Sequence, residues 1–310
     1  MTKLKQADIA AVKSRGFLLN RGTDKFSGRI VATGTVFTSK DFKVMSEIAE
    51  RFGNGKLICT SRLAVEMPGI SFENIPLAEE FALKNGLYFG GTGSKIRPVA
   101  SCKGSTCVYG NFDTHSLAAK IHNEYYIGWK NVALPHKFKI AVGGCPNSCM
   151  KPSLNDFGVE GHKMPILNPE KCNSCKVCMI EKSCPMKAAH LKDGKIEIDS
   201  KVCLSCGVCT GKCPFGAIAK ESKTMYKIYV GGTWGKRTRM GTPLSRLVTE
   251  DEVLPILEKT LLWFKENAYQ KERLGLAIDR VGAENLEKAL FSDDLINRKE
   301  EILAKDILTR

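Results

Sequence analysis

The chain has 310 residues, 43% of them hydrophobic, with 47 lysines and arginines against 33 aspartates and glutamates and a formal net charge of +14. This is the composition of a soluble globular protein of two or three domains; the opening MTKLKQADIAAVKSRGF lacks a signal peptide's apolar core and no later run is long enough to span a bilayer, so a cytoplasmic protein without a membrane span is expected. The lysines and arginines are scattered rather than run together, which argues against nucleic acid as a partner and leaves two accounts of the surplus: a solvated basic surface, or counter-charge to bound anionic cofactors.

In chain order, RIVATGTV (residues 29–36) reads as a strand, and Thr38 to Gly53 as a helix with Phe42, Met45, Ile48 and Ala49 on one face and Gly53 as its stop. Leu57 to Thr60 is a second strand leading into Ser61 and Arg62. Pro68-Gly69 marks a turn, and Pro76 to Asn85 a helix closed by Gly86. The glycine-rich GGTGSK at residues 90–95 lacks both the Walker spacing and the dinucleotide fingerprint, and is read as a tight turn. The alternation is that of an open α/β layer.

Of 13 cysteines only Cys59 stands outside a short spacing, and in a reducing compartment such clusters read as metal ligands rather than disulfides. Cys102 and Cys107 come soon after Arg97, with four residues between them, and are followed by a helix that puts Leu117, Ala118, Ile121 and Tyr125 on one face. In LPHKFKIAVGGCPNSC (residues 134–149), Phe138, Ile140 and Val142 alternate, which predicts a short half-buried strand with Lys137 and Lys139 together on its other face. The strand enters Gly143-Gly144, where the backbone can approach a neighbour closely, and then Cys145 and Cys149, whose offset of four predicts two sulfurs on one side of a helical turn. Four cysteines in two pairs could hold structural zinc, but a zinc knuckle has no use for a lysine-lined face leading into it.

Residues 163–222 differ in composition from both flanks and contain a repeat: Cys172, Cys175 and Cys178 recur thirty-one residues later as Cys203, Cys206 and Cys209, and each triplet has a proline-followed fourth cysteine, Cys184 and Cys213. This is the ligation scheme of a two-cluster bacterial ferredoxin, in which the last cysteine of each half crosses to the other cluster. HLKDGKIEI between the halves reads as a hairpin around Asp193-Gly194. Five residues rather than three precede Cys184, which predicts a longer loop beside one cluster. A strand from Tyr226 to Val230 follows, then GGTWGKRTRMGTPL, whose Lys236, Arg237 and Arg239 are either plain surface or carboxylate binders. Thr249 and Glu252 form a capping box for a helix reaching about Asn267, with Val253, Ile256, Leu257 and Leu261 buried. The tail to Arg310 reads as helical and is assigned no chemistry.

The order of Arg97, the first cysteine pair, LPHKFK, GCPNSC, the ferredoxin insertion and YVGGTWG resembles the sirohaem-containing sulfite and nitrite reductases over most of the chain. It is most similar to single-copy members with built-in ferredoxin domains, the anaerobic and dissimilatory sulfite reductase subunits. The resemblance implies an α+β fold: residues 1–90 as a ferredoxin-like half domain, residues 91–162 with 223–310 as the catalytic domain, and residues 163–222 as an inserted domain with two [4Fe-4S] clusters. It implies sirohaem and a third [4Fe-4S] cluster on Cys102, Cys107, Cys145 and Cys149, with Cys149 bridging to the sirohaem iron. Lys137 and Lys139 match the substrate lysine pair and Arg97 a substrate arginine, while Arg29 and Arg62 fall where the family keeps arginines for the anion or the sirohaem carboxylates.

The implied reaction is six-electron reduction of sulfite to sulfide, fed through the ferredoxin clusters by a donor protein or reductase subunit. Nitrite is the competing substrate on the same apparatus, and an electron-transfer subunit without sirohaem is the alternative from a different class. The family usually places five residues between its first two cysteines; four here imply either a loop tightened around Gly104 or a different cluster geometry. Members with two fused copies complete the site across a pseudo-twofold axis, so a single copy implies a homo- or hetero-oligomer.

Overall fold

Three stretches of sequence bury separate apolar cores, and the computed structural model, which describes residues 4–310, places them around one central sheet. The first core lies under an antiparallel sheet of β1 (Phe17–Leu19), β2 (Phe26–Ile30), β3 (Ile58–Cys59) and β4 (Val65–Ile70), in the order β1-β2-β4-β3. It packs with the helices α1 (Gln6–Ser14), α2 (Ser39–Phe52) and α3 (Ile75–Lys84). The capping box that starts α2 is made by Thr38 and Asp41: the Thr38 amide donates to the carboxylate at 2.7 Å and the Asp41 amide to the Thr38 hydroxyl at 3.1 Å. Met45, Ile48 and Ala49 are buried as expected, with Val44 in place of Phe42, which is 44% exposed.

Two expectations differ here. The strand read over residues 29–36 ends at Ile30, because Gly34 and Thr35 take φ of 60° and 65° and fold the chain against the His115 carbonyl, where a Cβ on Gly34 would come within 2.9 Å. Pro68-Gly69 lies inside β4 rather than in a turn. β3 pairs only with Val65 and Glu66, and the β2 ladder carries a register shift between Phe26 and Gly28, so no ladder bond is lost at the proline.

The second core is built on a five-stranded sheet of β5 (Ala100–Ser101), β6 (Ile140–Gly143), β7 (Phe157–Met164), β10 (Lys223–Val230) and β11 (Thr242–Pro243), ordered β11-β10-β7-β6-β5. The helices α4 (Thr114–Ile121) and α6 (Glu250–Asn267) share its core, with Phe138 and Phe264 meeting at 5.9 Å between ring centres. β6 is buried along its length, not half-buried, because parallel strands flank it on both sides. Alternation still sorts its faces: Ile140 and Val142 enter the core, while Lys139 and Ala141 look into a cleft on the other side.

Between β7 and β10 the chain forms the third unit, with the hairpin β8 (Ala189–Lys192) and β9 (Lys195–Ile198). Asp193 and Gly194 turn it with φ of 49° and 77°, the positive pair that a type I′ turn requires. The additional residues before Cys184 coil into the short helix α5 (Met179–Ser183) rather than a loose loop. Helices between Leu274 and Ala304 complete the tail against α6. Among the described residues no helix is long and apolar enough to cross a membrane.

Because β5, β6 and β7 are parallel, their carboxyl ends share one edge of the sheet. Cys102 follows β5, Cys145 follows β6, and the cysteine-rich insertion follows β7, so the connectivity gathers all three cysteine groups where open α/β sheets bind their ligands.

Candidate active site

The pairs Cys102–Cys107 and Cys145–Cys149 are brought together by glycines. Gly104 to Thr106 makes a single 3-10 turn between Cys102 and Cys107, with Gly104 buried so tightly that a Cβ would lie 2.5 Å from Thr114 Cγ2. Opposite it, the Gly144 amide donates to Cys102 Sγ at 3.2 Å, and a Cβ on Gly144 would meet Gly104 Cα at 3.1 Å. Cys145 and Cys149 do not stack on a helical turn: Ser148, at φ 54°, reverses the chain and leaves Cys149 exposed toward the cleft. Burial pushes the Cys145 thiol up, and Cys102, Cys149 and Cys107 push it further. Thiols crowded in this way ionise together only around a cation, which is the donor set of an iron–sulfur cluster. Among the described residues, no three His, Cys, Asp or Glu side chains converge closely enough to hold a single metal ion.

Cys149 opens into a cleft of about 290 Å³ that it lines with Arg62, Lys139, Lys151, Asn155 and Trp234. Arg62, in the loop between β3 and β4, crosses to the central sheet, donating to the Pro98 and Ile140 carbonyls at 2.8 and 2.9 Å and to Asn155 at 3.1 Å. Arg97 is fixed by its amide on the Phe138 carbonyl at 2.8 Å and its guanidinium on the Gly91 carbonyl at 2.5 Å. Arg29 donates to the same Gly91 carbonyl at 2.9 Å but is paired with Glu66 at 2.5 Å, so its charge is answered within the protein. Arg239 is likewise engaged, by Asp279 at 2.7 Å, while Lys236 and Arg237 lie exposed on the loop that carries Trp234.

Lys137 and Lys139 are different. Their backbone amides donate to His136 Nδ1 and to Asp156 Oδ2 and the Lys139 carbonyl accepts from the Phe157 amide, but among the described residues neither ammonium has a partner. Burial and the neighbouring Arg62, Lys137 and Arg273 lower Lys139 to about 8, against the pull of Asp156. Burial, Arg273 and Arg97 lower Lys137 as well. The same burial and cations hold His136 down at about 4, which keeps it neutral. Burial, with the other arginines contributing, brings Arg62 and Arg97 to about 10, and both stay charged at neutral pH. The Nε–H groups of Arg62, Arg97 and Arg273 are buried without a partner. A pocket with surplus donors and like charges suits an anion and an acid-bearing macrocycle.

Two residues at the heart of this site were not singled out in the sequence. Asp156 is fully buried and accepts both the Lys139 amide and, through its two oxygens, the single Arg273 nitrogen Nη2 at 2.8 and 2.9 Å. Arg273 comes from the tail assigned no chemistry. Lys151 and Trp234 were also passed over; they meet in a cation–π contact, the Lys151 nitrogen 4.9 Å from the ring centre.

In the insertion, Cys172, Cys175, Cys178 and Cys213 line one space and Cys184, Cys203, Cys206 and Cys209 another. Burial raises Cys209 to about 11, with Cys203, Cys206 and Cys184 adding to it. Each fourth cysteine thus stands with the triplet of the opposite half.

Residues 92–298 match the family described as "Nitrite and sulphite reductase 4Fe-4S domain", and residues 20–83 the "Nitrite/Sulfite reductase ferredoxin-like half domain". The chain is 33% identical to the coenzyme F420-dependent sulfite reductase of Methanocaldococcus jannaschii over 80% of its own length, and spans 39% of that protein. It is 29% identical to a subunit of the anaerobic sulfite reductase of Salmonella typhimurium, covering 86% of this chain and 82% of that one. The fold matches the crystal structure of dissimilatory sulfite reductase I with a TM-score of 0.70 at 22% identity, over 86% of this chain and 69% of that one.

Proposed function

The chain belongs to the nitrite and sulphite reductase family and carries its 4Fe-4S domain, and from that premise we propose that it reduces sulfite to sulfide by six electrons at a sirohaem. The observation that carries this reading is the placement of Cys149, the thiol proposed to link sirohaem to its cluster, in one cleft with the unpaired ammonium of Lys139 and the Arg62 guanidinium. On this reading Cys102, Cys107, Cys145 and Cys149 hold the coupled [4Fe-4S] cluster. Cys172, Cys175 and Cys178 with Cys213, and Cys203, Cys206 and Cys209 with Cys184, hold two more. When bound, sirohaem and its coupled cluster supply the electrons that break the sulfur–oxygen bonds.

The chain's own residues do the rest. Lys137, Lys139 and Arg97 attract the dianion into a poorly solvated site, where each further cation favours a double charge over nitrite's single one. Lys139 at about 8 is protonated at neutral pH yet gives up its proton readily, as protonation of departing oxygens requires. Arg62, which lines the cleft, and Lys236 and Arg237, exposed on the Trp234 loop, would serve as carboxylate binders for the macrocycle. A donor protein or reductase subunit supplies electrons at the insertion, and a second chain, identical or not, completes the site.

Anaerobically reconstituted protein should show tetrapyrrole bands over the broad iron–sulfur absorption and turn over sulfite faster than nitrite. The reverse preference assigns nitrite, and iron–sulfur absorption alone assigns an electron relay. A second expectation concerns pH: turnover should fall as pH rises through about 8, where Lys139 loses its proton. The Lys139→Arg variant keeps its charge above that pH and should flatten the fall in a pH–rate profile, while titration of the substrate is common to both proteins and cancels.

A further inference from the structure

We propose that His162, braced by Glu160 and Tyr229, is the positioning residue that seats the second cysteine set of the insertion against the Cys145 loop and so fixes the electron path between them. This role presupposes the electron relay proposed above. His162 and Glu160 are buried polar residues on β7. Alternation along β7 sends Phe157 and Val159 into the core and Glu160 and His162 to the opposite face, and both are buried, at 6% and 7% exposure. Glu160 stands beside Gly143, two residues before Cys145.

Both nitrogens of the imidazole have a partner. His162 Nε2 lies 3.1 Å from Glu160 Oε1, and the Tyr229 hydroxyl donates to that oxygen at 3.4 Å. His162 Nδ1 lies 2.9 Å from the Leu204 carbonyl. A carbonyl only accepts, so Nδ1 carries a hydrogen, and the Nε2–Oε1 contact is closed by a second one, held on Nε2 or on the Glu160 carboxyl. Leu204 lies between Cys203 and Cys206. The cost of burying an acid and an imidazole is thus met by holding one peptide of the second cysteine set.

Neighbouring contacts act on the same short segment. The Lys163 amide donates to the Ser205 carbonyl at 2.7 Å, and Lys163 is bridged to Cys206. The Asn111 amide donates to the Gly144 carbonyl at 2.9 Å, its side chain donates to the Gly161 carbonyl at 3.2 Å, and its Oδ1 would stand 2.9 Å from a Cβ on Gly207. A short route therefore runs from Cys206 through Gly207 and Asn111 to Gly144 and Cys145. Cys145 and Cys206 also face one cavity of about 330 Å³.

The test uses the full holoprotein with His162→Leu and His162→Gln. Hydrogen exchange at residues 204–207 and the freeze-quench EPR rate at which electrons pass from the ferredoxin clusters to the coupled centre are measured, with iron content and visible spectrum as controls. Leucine removes both bonds, so exchange should rise by roughly tenfold or more and electron arrival should slow, while reduction of the ferredoxin clusters themselves is unchanged. Glutamine can still donate to the Leu204 carbonyl, and its rise should be smaller. Unchanged exchange and arrival in the leucine variant overturn the proposal; if that variant fails to fold, His162→Ala, which likewise cannot bond the Leu204 carbonyl, takes its place, and unchanged exchange and arrival there do so. Exchange requires neither sulfite nor sirohaem, so failure of the substrate assignment would leave this readout standing.

Discussion

Lys139→Met is expected to lower kcat/KM for sulfite by roughly 10²- to 10⁴-fold, the range associated with loss of one general acid or one buried charge donor. Methionine matches the length and apolar stem of lysine, so the wall beside Ala141 and Cys149 is kept and only the ammonium is lost. The visible spectrum and cluster EPR signals should therefore match those of the parent. Lys137→Met should also impair turnover but by less, since Lys137 does not line the cleft with Cys149. Steady-state kinetics with the spectrum recorded on the same sample checks both, and parental turnover in either variant removes that lysine from the mechanism.

What the sequence disclosed, and what it withheld, follows from the range of each signal. The helix start at Thr38, the capping box at Thr249 and the Asp193-Gly194 turn are local, and each formed where its pattern put it. The lysine face survived although its strand was misjudged. Phe138 and Ile140 are buried and Lys137 and Lys139 are partly exposed, because alternation does not depend on whether neighbours flank one side of a strand or both. Ser148 was illegible because an offset of four suits a helical turn and a tight reversal equally well, and only the fit of Gly144 against Gly104 selects the reversal. Asp156 and Arg273 are 117 residues apart, and no periodicity links an isolated aspartate after Leu154-Asn155 to an arginine in a helical tail. Their pairing is a tertiary fact, as is the use of Glu66 to neutralise Arg29.

The Asp156–Arg273 pair carries the second large expectation. Asp156 is the buried acid among Lys137, Lys139, Arg62 and Arg273, and replacing it by asparagine keeps the shape while leaving Arg273, 17% exposed, without its counter-charge. Breaking a buried pair by removing one partner costs about 3–5 kcal/mol, so the urea unfolding midpoint of Asp156→Asn should fall well below that of the parent. A purely structural role would stop there. Asp156 also raises the pKa of Lys139 against the burial and cations that lower it. Without that carboxylate Lys139 should lose its proton below about 8, so the alkaline fall in turnover should move to lower pH. At acid pH, where Lys139 is still charged, the folded fraction should bind sulfite at least as tightly as the parent, because the negative charge competing with the substrate for the cations is gone. A lowered unfolding midpoint with an unmoved pH profile would leave Asp156 as a packing residue alone; the two shifts together would place it in control of the lysine proposed to donate the proton.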